Sequence, residues 1–205
     1  MCTPDSACPV NNREHGLSLI ELVVFIVIVA LAVTGVLAAL NVATRGSADP
    51  LIEKQALAIA EALLEEVQLM PFTYCDPDDP NAATATSTAE CTAGMSEDTL
   101  PLGPEAGETR TSATNPFDNV SDYNGYDTNA EVPPGIKDIG GAAIGGLASY
   151  RATITVAQQG IPAFGGSPAI PPTDALLITV AVAGPGNTSV TLHGYRTRYA
   201  PNALP

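Results

Sequence analysis

Hydrophobic patterning divides the chain into unlike stretches. From 22 to 40 it reads LVVFIVIVALAVTGVLAAL, with no charge and no proline. At 1.5 Å rise per residue, a helix over this run is about 28 Å long, close to the thickness of a bilayer's hydrocarbon core. Its many β-branched residues do not argue against helix. In lipid the backbone must satisfy its own hydrogen bonds, which a lone strand cannot do. A polar stretch with a glycine, NVATRGS at 41–47, predicts a break. Asp49 then suits a helix N-cap and Pro50 the first helical position. From 51 to 70, Ile52, Ala56, Ile59, Ala60, Leu63, Val67 and Met70 recur at helical spacing and predict one buried stripe. Glu53, Lys54, Glu61, Glu65, Glu66 and Gln68 fall largely off that stripe and are expected on a solvated face. Pro71 ends the helix.

The pattern loosens from 72 to about 146, where Gly, Pro, Asp and Thr are frequent and turns are expected. Strand patterning returns afterwards. Residues 148–156 alternate, with Tyr150, Ala152, Ile154 and Val156 on one face. Residues 174–182 (DALLITVAV) and 189–198 (SVTLHGYRTR) flank a Gly-Pro-Gly-Asn turn and predict an antiparallel hairpin. The Gly- and Pro-rich segment 158–173 predicts a loop. The fold class that follows is α+β: a long N-terminal helix, one half transmembrane and one half amphipathic, packed on a small antiparallel sheet. The expected organisation is a leader at 1–16, a transmembrane helix and break at 17–47, an amphipathic helix at 48–70, and a globular domain at 71–205.

Composition narrows the function. The formal net charge is −14 with only eight Lys and Arg, which excludes a basic nucleic-acid surface. No Gly-x-Ser-x-Gly elbow, His-Glu-x-x-His pair or phosphate-binding loop is present, and His193 lies within a predicted strand. These observations predict a protein that is not an enzyme and needs no catalytic cofactor.

The lip of the apolar run carries its most telling residues: Gly16, Leu17, Ser18, Leu19, Ile20 and Glu21. A carboxylate carried to the bilayer centre costs about 2.5–3.5 kcal/mol, so Glu21 is either a last interfacial residue or a group with a partner. Glycine, an apolar residue, Ser-Leu-Ile-Glu and then an uncharged span resembles the class III signal of type IV prepilins. The resemblance implies cleavage by a prepilin peptidase between Gly16 and Leu17, N-methylation of Leu17, and a place for Glu21 at the fifth mature position. It further implies assembly with other pilins through packed N-terminal helices, driven by inner-membrane machinery, with the C-terminal domain periplasmic. The leader departs from the family, whose leaders are usually basic, because Arg13 stands against Asp5 and Glu14. An opposite charge one helical turn from a new amine can pair with it, or with the amine of a neighbouring subunit.

Two further features bear on function. Cys75 and Cys91 are the cysteines beyond the leader, in the part expected outside the cytoplasmic membrane, where disulfides persist. A bridge there would contribute roughly 3 kcal/mol in the chain-entropy model; free thiols or a metal pair are the alternatives. Within NPFDNVSDYNGYD at 115–127, Asp118, Asp122 and Asp127 could supply oxygens to calcium, although no glutamate closes an EF-hand spacing and such residues also simply make turns. The same phrase, with 52–66 and 71–79, resembles the minor pilins of the mannose-sensitive haemagglutinin (MSHA) pilus. A pseudopilin of type II secretion, or a membrane-tethered module that binds calcium or a surface ligand, is the competing reading.

Overall fold

The computed structural model describes residues 18–97 and 99–202, with backbone alone over 42–49. The first element, α1, spans Leu19–Leu69. Helical backbone runs through the polar stretch at 41–47 and past Pro50, where a break and a new N-cap were expected. A single proline removes one backbone donor, and here that loss does not end the helix. The chain nevertheless divides into two compact units, Met1–Ser47 and Ala48–Pro205, at the boundary the composition suggests.

In the first unit, Leu19–Asn41 is long and apolar enough to cross a membrane, and its side chains are exposed throughout. Thr34, the polar side chain midway, donates its hydroxyl to the Ala30 carbonyl at 2.7 Å. The span therefore presents lipid with no unsatisfied hydroxyl. An apolar helix of this kind fits a membrane-anchored, single-pass protein.

The second unit is an α+β arrangement. Strands β1 (Arg151–Gln158), β2 (Ala175–Ala183) and β3 (Ser189–Thr197) form an antiparallel sheet in that order. In register, Ile154 faces Val180, and Val180 faces Leu192. The β2–β3 turn needs two successive residues with positive φ. Gly186 supplies one without strain, and Asn187 the other, at φ 62°.

Ala152, Ile154 and Val156 from β1 and Ile178, Val180 and Val182 from β2 are buried against Ala56, Ile59, Ala60, Leu63 and Val67 of α1. The helical period and the strand period thus meet on one core, as the sequence predicts. Close approach at β3 depends on Gly194. A Cβ there would lie 2.4 Å from Gln68 Nε2 and 3.0 Å from Leu64 Cδ1. Gln68 therefore faces the sheet rather than solvent.

The outer edge of β1 is not left open. The Gly125 amide donates to the Ile154 carbonyl at 3.0 Å, the Ile154 amide to the Tyr126 carbonyl at 2.9 Å, and the Thr128 amide to the Ala152 carbonyl at 3.0 Å. Phe117, Tyr123 and Tyr126 pack edge to face behind this strap. The nominally irregular middle of the chain is therefore docked on the sheet, and its loops reach one another above it.

Candidate functional site

Two places carry chemistry. The first is the head of α1. Glu21 lies in the first turn and is exposed, and the Leu22 amide donates to the Ser18 carbonyl at 3.1 Å. An acidic side chain in a first turn is favoured by the exposed amides of the helix N-terminus. Gly16 and Leu17 lie outside the described residues.

The second is in the globular unit and starts from the cysteines. Cys75 and Cys91 form a disulfide with sequence separation 16. Cys75 also pairs with Ser96 as an isolated antiparallel bridge, in which the Asp76 amide donates to the Met95 carbonyl and the Glu97 amide to the Tyr74 carbonyl. The covalent link and the bridge together hold Asp76 beside Glu97. Downstream, the short helix Ser121–Tyr123 presents Asp122, whose Oδ2 accepts the Asp118 amide at 3.0 Å and the Asn119 amide at 2.7 Å. Ser121 donates its hydroxyl to Glu97 Oε2. A third segment brings Glu105 and Glu108, the Glu105 amide donating to Glu108 Oε2 at 3.1 Å.

Seven carboxylates converge as a result. Asp76, Asp78 and Asp118 form one triad, Asp76, Glu97 and Glu105 a second, and Glu105, Glu108 and Asp122 a third. In each triad the oxygens lie within 4.8 Å of one another. Glu97 is 2% exposed and Asp122 1%. Among the described residues, Glu97 Oε1, Glu105 Oε2, Asp118 Oδ1 and Asp122 Oδ1 are buried without a hydrogen-bond partner. Among the described residues, the salt bridges engage Glu66, Glu131, Asp127 and Asp174, and none of the seven.

Burial is the main force on Glu97, Asp118 and Asp122, and like charge adds to it. Burial, then Asp122, pushes the Glu97 carboxyl far above its ordinary range. Burial likewise raises Asp122, against the two amides that it accepts. Asp118 is pushed up to about 7 by burial and then by Asp76 and Glu108. The consequence for stability has a definite sign. In the unfolded chain these carboxyls lose their protons from pH 4 to 5, whereas in the folded, cation-free protein they hold them to higher pH. Unfolding therefore becomes easier as pH rises from about 4 through neutrality. In a chelating buffer, melting followed by circular dichroism is expected to occur at a higher temperature at pH 5 than at pH 8. A reversed order would show that the carboxylates are stabilised as anions.

The structure distributes the expected calcium residues differently from the sequence pattern. Asp118 and Asp122 sit in the cluster. Asp127 does not join them in any carboxylate group among the described residues. It instead pairs with Arg151 across the strap at β1, and that guanidinium lowers its carboxyl below the usual value. The strap's antiparallel bridge between Asp127 and Thr153 turns this side chain toward the strand.

Glu66 was expected in solvent and is not there. Its carboxylate accepts Arg110 Nε and Nη2, both at 2.6 Å, and the Tyr123 hydroxyl at 2.8 Å. The Arg110 side chain is 3% exposed and sits over the Tyr126 ring. Burial opposes its charge, but the Glu66 carboxylate outweighs burial and holds the guanidinium ionised.

Comparison with known proteins bears on the first place. Residues 11–37 match the family model described as the prokaryotic N-terminal methylation motif. No curated protein and no solved structure matches the chain. The matched segment covers 16–21 and most of the apolar run, so the head of α1 carries the N-methylation motif of prokaryotic prepilin-type proteins, which supports a type IV pilin-like or pseudopilin protein.

Proposed function

We propose that this chain is a non-enzymatic minor pilin that is cut and N-methylated by a prepilin peptidase and enters or primes a type IV pilus of the MSHA type. The observation that carries the reading is the spacing from Gly16 to Glu21 ahead of an uncharged span, within the matched methylation motif. A tether alone needs no new amino terminus, whereas docking among packed helices does. The methylated amine of Leu17 and the carboxylate of Glu21 then supply opposite charges at the entrance to a bundle of apolar helices. An unpaired charge is expensive in lipid, so their pairing favours a single axial register between neighbours. The α+β unit beyond Ser47 is held on the periplasmic side and later on the filament surface. Other pilins, the peptidase and the inner-membrane assembly machinery are the partners. The MSHA assignment draws on the segments at 52–66, 71–79 and 115–127.

Mass spectrometry of the protein purified from the envelope tests the first step. A terminus at Leu17 with one added methyl group is expected. A terminus anywhere else removes the basis for the proposal. Recovery of the processed chain only from the membrane, and never from sheared surface filaments, would favour the pseudopilin of a secretion system.

A further inference from the structure

We propose that the globular unit binds a calcium ion at Asp76, Glu97 and Glu105, with Glu108 and Asp122 joined to them through Glu105. The site does not depend on the pilin reading. It rests on oxygens brought together from three separate loops and on acceptors that the fold buries without donors.

The geometry of the Asp76, Glu97 and Glu105 triad suits one ion. Two oxygens on the same calcium, at 2.3–2.6 Å from it, lie at most about 5 Å apart. The oxygens of Asp76, Glu97 and Glu105 lie within 4.8 Å of one another, as do those of Glu105, Glu108 and Asp122. Glu97 Oε1 and Asp122 Oδ1 are deeply buried and lack donors among the described residues, while the second oxygen of each side chain is held, by Ser121 and by the amides of Asp118 and Asn119. One oxygen fixes the side chain and the other is free to ligate. A buried carboxylate without a donor loses its hydration with nothing in return, so several such groups together either keep their protons or take a cation.

The donor set selects the ion. All the side chains are carboxylates, with no imidazole among them, which favours a hard cation over zinc or copper. Cys75 and Cys91 are close by, but both sulfurs are committed to the disulfide. Calcium takes six to eight oxygens in flexible geometry, and carboxylates that ligate through one or both oxygens suit it. Magnesium demands a compact octahedron and keeps its waters. The segments around Asp76, Glu97 and Glu105 lie outside helices and strands and can adjust to the larger ion. The disulfide and the bridge from Cys75 to Ser96 set the spacing of Asp76 and Glu97 before any ion arrives.

The full chain in detergent, stripped with a chelator and titrated with calcium chloride by isothermal calorimetry, tests the proposal. One ion per chain is expected, with an affinity in the range of extracytoplasmic modules, Kd about 10⁻⁴–10⁻³ M. Melting in 5 mM calcium should occur several degrees above melting in chelator, and magnesium at the same concentration should give a smaller shift. Glu97→Gln keeps the shape of the side chain and its contact with Ser121. It should weaken calcium binding at least tenfold, yet melt higher than the parent in chelator at neutral pH, because the folded protein no longer has to hold a proton that the unfolded chain gives up. Asp127→Asn, at the Arg151 pair, should bind calcium as the parent does. Absence of heat and of a melting shift overturns the site, as does unchanged binding by Glu97→Gln. An equal response to magnesium overturns the assignment to calcium.

Discussion

Glu21→Val is expected to yield a chain that is made, cut and anchored, and that is missing from the filament. Removing a charge from the head of Leu19–Asn41 makes the segment more apolar, so insertion is not impaired. The globular unit begins at Ala48 and makes its own core, so its melting should not change. What goes is the carboxylate that, under the proposed cleavage, a neighbouring Leu17 amine would meet. In lipid no water replaces it, so the loss at assembly is large. Immunoblots of sheared surface material, normalised to whole cells, should fall tenfold or more. Parental incorporation would show that Glu21 merely marks the interface.

Glu66→Ala is expected to be the most damaging single change on the helix face of the domain. It strands the Arg110 guanidinium, whose side chain is 3% exposed, and it deprives the Tyr123 hydroxyl of its acceptor. Breaking a buried pair from one side costs about 3–5 kcal/mol. At roughly 2–4 °C per kcal/mol for a domain of this size, melting should fall by about 6–20 °C. Glu66→Gln keeps an oxygen for Arg110 Nε and the Tyr123 hydroxyl but turns an amide NH2 toward Arg110 Nη2, and should lose less than Glu66→Ala. Glu65→Ala, one residue away and exposed, should stay within about 0.5 kcal/mol of the parent. Equal melting of the Glu65 and Glu66 variants would mean that the ion pair adds nothing to the fold.

Glu65 and Glu66 also show where sequence reading succeeds and where it stops. The stripe from Ala56 to Val67 and the alternation from Tyr150 to Val156 are periodic, and periodicity reports which face is buried. The disulfide was legible because the two cysteines fall in a region expected to be oxidising. Glu66 was not legible because it sits beside the stripe, and its partner Arg110 lies in a Thr-Arg-Thr-Ser loop without period. Gln68 fails likewise, since only an opposing glycine at 194 draws it inward. The carboxylate cluster is harder still. Asp76, Glu97, Glu105 and Asp122 are scattered through a stretch of turns, and tertiary links such as the disulfide, the bridge at Cys75 and the Ser121 contact with Glu97 draw them together. Looking for ligands along one continuous phrase reached two members of the cluster, Asp118 and Asp122. It also drew in Asp127, which the strap directs to Arg151.

The meeting of α1 with strands from the far end of the chain has a bearing on how the molecule comes into being. Ribosomes deliver the chain from its amino terminus at about 5–20 residues per second. On the order of ten seconds therefore separates completion of the helix from completion of β2. Throughout that interval Ala56, Ile59, Ala60, Leu63 and Val67 have no sheet to cover them. The helix can be present early because its hydrogen bonds are local, but its apolar face must wait. The loop closed by Cys75 and Cys91 is complete long before the strands and can be sealed first. A chain interrupted before Ala175 would thus carry an anchor, a sealed loop and a naked stripe, a state open to proteolysis and to association with its own kind.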